Sequence, residues 1–251
     1  HMEGPFFSEK KKGAQNAAYL REPDFEAFSK LFAAGNGIVR IVDVAPELPG
    51  AAEFVRKASK QCTVSIAHTD ASYDDAVCAI EAGVTHLTHL YNAMPGIHHR
   101  KPGVIPAAVE NEQVSAELIS DGQHVHPASV RLAFRMFGPA RMVLISDSLR
   151  CCGMPDGEYE LGGQPIEMKG GKATLRGTDT LAGSSSNLLS ELQNVVAFGL
   201  PLEDAVTALT LAPARAVRLD HQIGSLAVGK QADLVLLNPD LTLDSVYVDG
   251  E

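Results

Sequence analysis

The chain has 251 residues, of which 45% are hydrophobic and 21% charged, the make-up of an ordinary soluble globular protein with one full-sized domain or one domain plus a small appendage. Its formal net charge of −10 repels nucleic acid and anionic membranes, so an anionic substrate would need cations supplied by its own site. No apolar run approaches the ~18 residues needed to cross a bilayer, no charged leader followed by an apolar stretch opens the chain, and four cysteines (Cys62, Cys78, Cys151 and Cys152) without a CxxC pair fit reduced, cytoplasmic usage, the adjacent last two being poorly placed to bridge each other.

The chain opens on His1 and Met2, which reads either as an appended remnant or as a longer chain cut at this point. From Gly37 onward, short β-branched runs alternate with amphipathic stretches. Ile38–Val44 reads as a strand, and Ala51–Lys60 as a helix with Phe54, Val55 and Ala58 on one side. Cys62–Ala67 is the next strand. Tyr73–Ala82 follows as a helix, with Asp74 and Asp75 in the first turn, where negative charge suits the helix dipole, and Gly83 at its end. Strands over Val84–Leu87, Val114–Ser120 and Met142–Ile145 and helices over Pro106–Asn111 and Pro127–Phe137 continue the rhythm.

Such repetition implies parallel strands joined by right-handed crossovers. Each strand is followed by a polar segment containing His68, His89, Asp121–His126 or Asp147. Chemistry at successive strand ends predicts a (β/α) TIM-like barrel over residues 1–220. A doubly wound sheet is the competing fold, but its usual glycine-rich phosphate loop is absent. Beyond Asp147, Glu158–Leu161, Gln164–Met168 and Lys172–Leu175 read as hairpin strands around Gly162–Gly163 and Gly170–Gly171. Helices are predicted over Ser186–Phe198, Leu202–Leu211 and Ala212–Val217. Residues 221–251 return to β with Ala232–Leu237 and Ser245–Val248, a small separate sheet packed beside the barrel.

Glu3, His68 and His89 form a candidate metal set, because imidazole nitrogen and carboxylate oxygen suit Zn²⁺ and similar ions. The two histidines stand one strand–helix unit apart, which places them on neighbouring strands of one barrel face. A lone histidine is commonly a hydrogen-bonded structural residue, so both readings stand at this point. Asp147 closes the strand MVLIS, where it either caps a turn or exchanges protons as general base and acid. The segment LYNAMPGIHHRKPG is either a solvated basic loop or an anion cradle, with backbone N–H groups of Asn92 and Ala93 and the planar fork of Arg100. His124 is placed to hydrogen-bond a polar substrate, and His126 to face solvent.

Taken together, HMEGPF (1–6), KKGAQN (11–16), AHTDASYD (67–74), THLYNAMP (88–95), ISDGQHVHP (119–127), LISDS (144–148) and LAGSSSNLL (181–189) resemble the N-acetylglucosamine-6-phosphate deacetylases. The tail from LTLAPARAV through GSLAVGKQADLVLLN resembles the end shared by many amidohydrolases, so the similarity runs along the whole chain in consistent order. The resemblance implies one or two divalent ions, zinc first among zinc, iron, manganese and cobalt, held by Glu3, His68 and His89. It implies Asp147 as catalytic acid and base, His124 as a substrate contact, and Asn92 and Ala93 as the phosphate cradle. It implies that Arg100 reaches the phosphate in the neighbouring subunit of a homodimer. Gln15 stands where some members place a histidine that polarises the acetyl carbonyl. Against that family the first part of a small β domain, the first barrel strands and their H-x-H pair are missing and no strand precedes Glu3, so the resemblance implies a barrel over residues 1–220 that is incomplete at its N-terminus, with residues 221–251 the C-terminal remnant of a small β-sandwich domain. Two rival readings remain. One is a cyclic-amide hydrolase, which usually carries a carboxylated lysine where no lysine ends a strand here. The other is an incomplete barrel that binds sugar phosphate without turnover.

Overall fold

In the computed structural model, which describes residues His1–Glu251, five short strands form one parallel sheet in chain order: β1 (Ile41–Val44), β2 (Thr63–Ile66), β3 (His86–Leu87), β4 (Ser115–Ile119) and β5 (Met142–Ile145). Parallel neighbours cannot be joined by a tight turn, and here they are linked through α2 (Ala51–Ala58), α3 (Tyr73–Ala82), α4 (Val104–Glu110) and α5 (Pro127–Phe137). Every residue of β1 and β2 is buried, as in a sheet covered on both faces. A parallel sheet in sequential order is what a (β/α) barrel requires.

Local chemistry sets the helix ends. Ser72 and Asp75 form a reciprocal capping box at the start of α3, and Gly83 ends it at φ 125°, a conformation a side chain would resist. Pro127 opens α5 at its first position, where the missing N–H costs nothing. Phe54, Val55 and Ala58 of α2 are buried as their spacing predicts.

The strand expected from Ile38 begins at Ile41, because Ile38 lies outside the sheet and is 78% exposed. Before Glu3 there is one isolated bridge and no strand: Met2 pairs with Val42 in parallel, donating to Ile41 O at 2.8 Å and accepting from Asp43 N at 3.1 Å. A helix that the alternation did not point to, α1 (Phe25–Ala34), lies before the first predicted element. Asp24 caps it by accepting from Glu26 N and Ala27 N, and Phe25, Phe28 and Phe32 recur along one face. Phe28 packs edge-on against Phe54, and Phe54 packs against Phe6, so α1, α2 and the segment carrying Glu3 share one aromatic cluster.

After β5 the chain forms an antiparallel three-stranded sheet: β6 (Gly157–Leu161), β7 (Gln164–Lys169) and β8 (Lys172–Leu175). Its turns use Gly162–Gly163 and Gly170–Gly171, all at positive φ. Helices α6 (Leu188–Ala197), α7 (Leu202–Leu209) and α8 (Leu211–Ala216) return against β5. The tail strands β9 (Leu234–Leu237) and β10 (Leu243–Tyr247) pair antiparallel in a separate two-stranded sheet. No helix is long and apolar enough to cross a membrane.

Candidate metal centre

His68, His89 and Asp147 each stand two residues beyond the end of a strand, β2, β3 and β5 respectively. All three have left-handed backbones, with φ of 44°, 33° and 49°. Side chains other than glycine resist that region, at a cost of order ~1–3 kcal/mol each, and such strain persists where surrounding structure holds it, often at functional sites. The repeat of one strained position at three strand ends turns the side chains toward a common point.

Glu3 Oε1 lies 3.1 Å from His68 Nε2 and 3.5 Å from His89 Nε2, and the two Nε2 atoms are 3.1 Å apart. Donor atoms bound tetrahedrally to zinc at ~2.0–2.2 Å stand about 3.4 Å from one another, so this triangle fits one such ion. The donor chemistry fits too. The carbonyl of Lys11 lies 2.8 Å from His68 Nδ1 and can only accept, so Nδ1 carries the proton and Nε2 keeps its lone pair. Phe7, itself buried, packs tilted against the His68 ring with the ring centroids 4.4 Å apart. His89 Nδ1 is buried without a hydrogen-bond partner.

Electrostatics bind the three groups together. Burial works against the charge of Glu3, but the hydrogen bonds and charges of His68 and His89 hold its carboxyl well below the usual range. Burial also lowers His89, and Glu3 more than offsets this, pushing the imidazole up to about 9. Asp147 behaves differently. Burial, reinforced by the negative charge of Glu3, raises it to about 6. A carboxyl tuned there exchanges protons near neutral pH.

A cavity of about 520 Å³ opens over the triad. Gln15, Asn92, Ala93, His124 and Asp147 line it together with Glu3, His68 and His89. Asp121 Oδ2 holds His124 Nδ1 at 2.7 Å, which leaves Nε2 for a ligand. The expected pair of backbone donors is reduced to one. Asn92 N already donates to His89 O at 2.9 Å, whereas the N–H of Ala93, at φ 51°, has no acceptor in the chain. Arg100 does not line this cavity; it is exposed and lies against His99 Nε2 at 2.6 Å. His126 is exposed as expected, and its Nδ1 caps α5 by accepting from Ala128 N.

Other residues at this site carried no motif. Arg150 and Asp179 line the cavity from the loops flanking the β6–β8 sheet. Beneath it lies a polar layer in which Asp43, His86 and Glu117 are buried and His1 is partly exposed. His1 Nε2 meets Asp43 Oδ1 at 2.8 Å and His86 Nε2 meets Glu117 Oε1 at 3.1 Å. Burial lowers His1, but Asp43, and then Glu117 and Glu3, raise it to about 10. The inward alternation of Asp43 on β1 and Glu117 on β4 was the available signal, hidden among apolar neighbours.

A family profile described as the amidohydrolase family matches residues 1–251. The chain belongs to the amidohydrolase family. Within that family it is 37% identical to the N-acetylglucosamine-6-phosphate deacetylase of Vibrio furnissii, an alignment that covers 100% of this chain and 63% of that protein. It is 35% identical to the N-acetylgalactosamine-6-phosphate deacetylase of Escherichia coli O157:H7, covering 100% of this chain and 67% of the relative. Among solved structures, a mutant N-acetyl-D-glucosamine-6-phosphate deacetylase of Mycobacterium smegmatis in complex with N-acetyl-D-glucosamine 6-phosphate superposes with a TM-score of 0.94 at 38% identity, covering 99% of this chain and 66% of that one. This amidohydrolase chain thus spans under two thirds of the length of the Vibrio furnissii and Mycobacterium smegmatis relatives. Its fold is that of the amidohydrolases, and its Glu3, His68 and His89 form a group able to hold a metal ion.

Proposed function

We propose that this chain carries the catalytic site of a metal-dependent deacetylase that hydrolyses N-acetylglucosamine 6-phosphate to glucosamine 6-phosphate and acetate. The observation that carries the reading is the convergence of Glu3, His68 and His89 on one point in the cavity that also holds Asp147. The deacetylase activity named for the similar proteins supports the substrate class.

Glu3, His68 and His89 would hold one divalent ion, zinc by the N and O donor set. When bound, the ion supplies Lewis-acid polarisation of the acetamide carbonyl and a lowered pKa for water. Asp147 takes the proton from the attacking water and returns it to the amine nitrogen as the C–N bond breaks, so that one water is consumed for each acetate released. Its raised pKa suits both halves of that exchange. Gln15 lines the cavity where its amide can donate to the developing oxyanion. His124, held by Asp121, and the free N–H of Ala93, beside Asn92, position the sugar phosphate. Arg100 lies outside its own cavity, which agrees with a homodimer in which it reaches the phosphate bound by the neighbouring subunit. In this reading residues 1–220 are the catalytic barrel portion, residues 221–251 belong to a small β domain, and the activity is that of a cytoplasmic amino-sugar catabolic enzyme.

The test is hydrolysis by the zinc-loaded chain, read as acetate release from N-acetylglucosamine 6-phosphate and from its galactosamine epimer, and as ring opening of a cyclic amide such as dihydroorotate. Turnover of the first supports the reading. Binding of the sugar phosphate without acetate release would make the chain a sugar-phosphate scaffold, and turnover of the cyclic amide alone would replace the reading.

A further inference from the structure

Glu191 lies in the first turn of α6 with 0% of its surface exposed. Its carboxylate meets no cation. Instead Oε2 accepts from Ser120 N at 2.5 Å and from Ser120 Oγ at 2.6 Å, while Oε1 accepts from Ser186 Oγ. Burial pushes the carboxyl up, and these donors pull against the shift. Burying a carboxylate on neutral donors is costly, and such groups persist where the network they satisfy has a purpose.

The two serines lead to different parts of the site. Ser120 follows β4 directly and precedes Asp121, which holds His124. Ser186 O accepts from Ser148 Oγ at 2.6 Å, next to Asp147. The same loop grips the aspartate on either side: Ser184 N donates to Asp147 O at 2.8 Å, Leu149 N donates to Ser184 O at 2.9 Å, and Ser184 Oγ donates to Ser146 O. One buried carboxylate therefore joins the loop carrying His124 to the loop carrying Asp147.

We propose that Glu191 is a positioning residue that fixes the His124 and Asp147 loops against each other through Ser120 and Ser186. It touches no substrate. It acts by holding Asp147 in its left-handed conformation while His124 keeps its place in the lining of the same cavity. The consequence for turnover rests on the deacetylase reading, whereas the coupling of the two loops does not.

Amide hydrogen exchange on the zinc-loaded chain separates the two. In Glu191→Met, segments 119–125 and 146–150 exchange about tenfold faster, the factor for losing roughly one net buried hydrogen bond, while β1 and β2 keep their rates. Ser186→Ala cuts one arm and speeds only 146–150. Glu191→Gln keeps an acceptor for Ser120 and leaves 119–125 near its original rate, which serves if Glu191→Met does not fold. In an active chain, Glu191→Met lowers kcat ~10- to 100-fold with zinc content retained, as a small misplacement of a proton-transfer group does, and Glu191→Gln restores part of it. Unchanged exchange in both segments, or a uniform increase across the whole sheet, overturns the proposal. The segment-specific pattern in a chain that releases no acetate leaves the proposal standing and removes the deacetylase reading instead.

Discussion

The Nε2 atoms of His68 and His89 lie 3.1 Å apart, each facing the same carboxylate oxygen of Glu3. Two imidazoles at that separation repel if both are charged, so the arrangement favours a shared cation over two protons. A divalent ion that binds only the folded chain stabilises it by about 4 kcal/mol at a thousandfold excess over Kd. For a chain of this size that corresponds to a rise in Tm of roughly 10 °C. Thermal melts with and without zinc check this, and the rise disappears in Glu3→Gln and His89→Ala.

In the proposed deacetylase mechanism, Asp147→Asn removes the proton acceptor without altering shape. Acetate release falls ~100- to 10,000-fold while zinc content is unchanged. In the parent chain kcat/KM drops as pH falls through a value no higher than about 6, because burial raises Asp147 to that level and a cation beside it lowers it again. The pH profile of the two proteins is the check.

Asp121 makes stability depend on pH. Burial raises its pKa, but the His124 hydrogen bond and the N–H groups of Gln123 and His124 outweigh this and hold it below the ordinary value. Its folded-state pKa is thus depressed, so the stability it contributes is present above ~4, the unfolded value, and is lost as pH falls through the folded value. Melts of Asp121→Asn and the parent chain differ at pH 7 and converge as pH falls below ~4.

Phe54→Ala opens a cavity between Phe28 and Phe6, in the cluster that joins α1 and α2 to the segment carrying Glu3. Denaturant titration shows a loss of about 3–5 kcal/mol. Arg141 is a second structural anchor. Its guanidinium donates to carbonyls at the C-terminal ends of α4 and α5, among them Asn111 O at 2.9 Å and Phe137 O at 3.1 Å. Arg141→Lys keeps the charge but not the fork, and costs about 2 kcal/mol in the same titration.

The strands were legible because buried parallel strands read as β-branched runs, and Met142–Ile145 appears with the boundaries its sequence predicts. The helix α1 was not, although Asp24 and the recurring phenylalanines signalled it, because it precedes the strand–helix alternation used as a guide. His68, His89 and Asp147 were legible as polar residues at strand ends, and Glu3 by its place in HMEGPF. Glu191 was not, because its importance lies in what it holds, and a hydrogen-bond partner 71 residues away leaves no spacing to read. Asn92 shows the opposite failure. Its residue type suits an anion cradle, yet its N–H is already committed to His89 O.

The most direct test of the account is diffraction at the zinc absorption edge from crystals of the zinc-loaded chain. The account predicts one anomalous peak ~2.0–2.2 Å from a Glu3 carboxylate oxygen and from the Nε2 atoms of His68 and His89, in the cavity with Asp147. A chain that takes up zinc but shows no peak among these three side chains contradicts it.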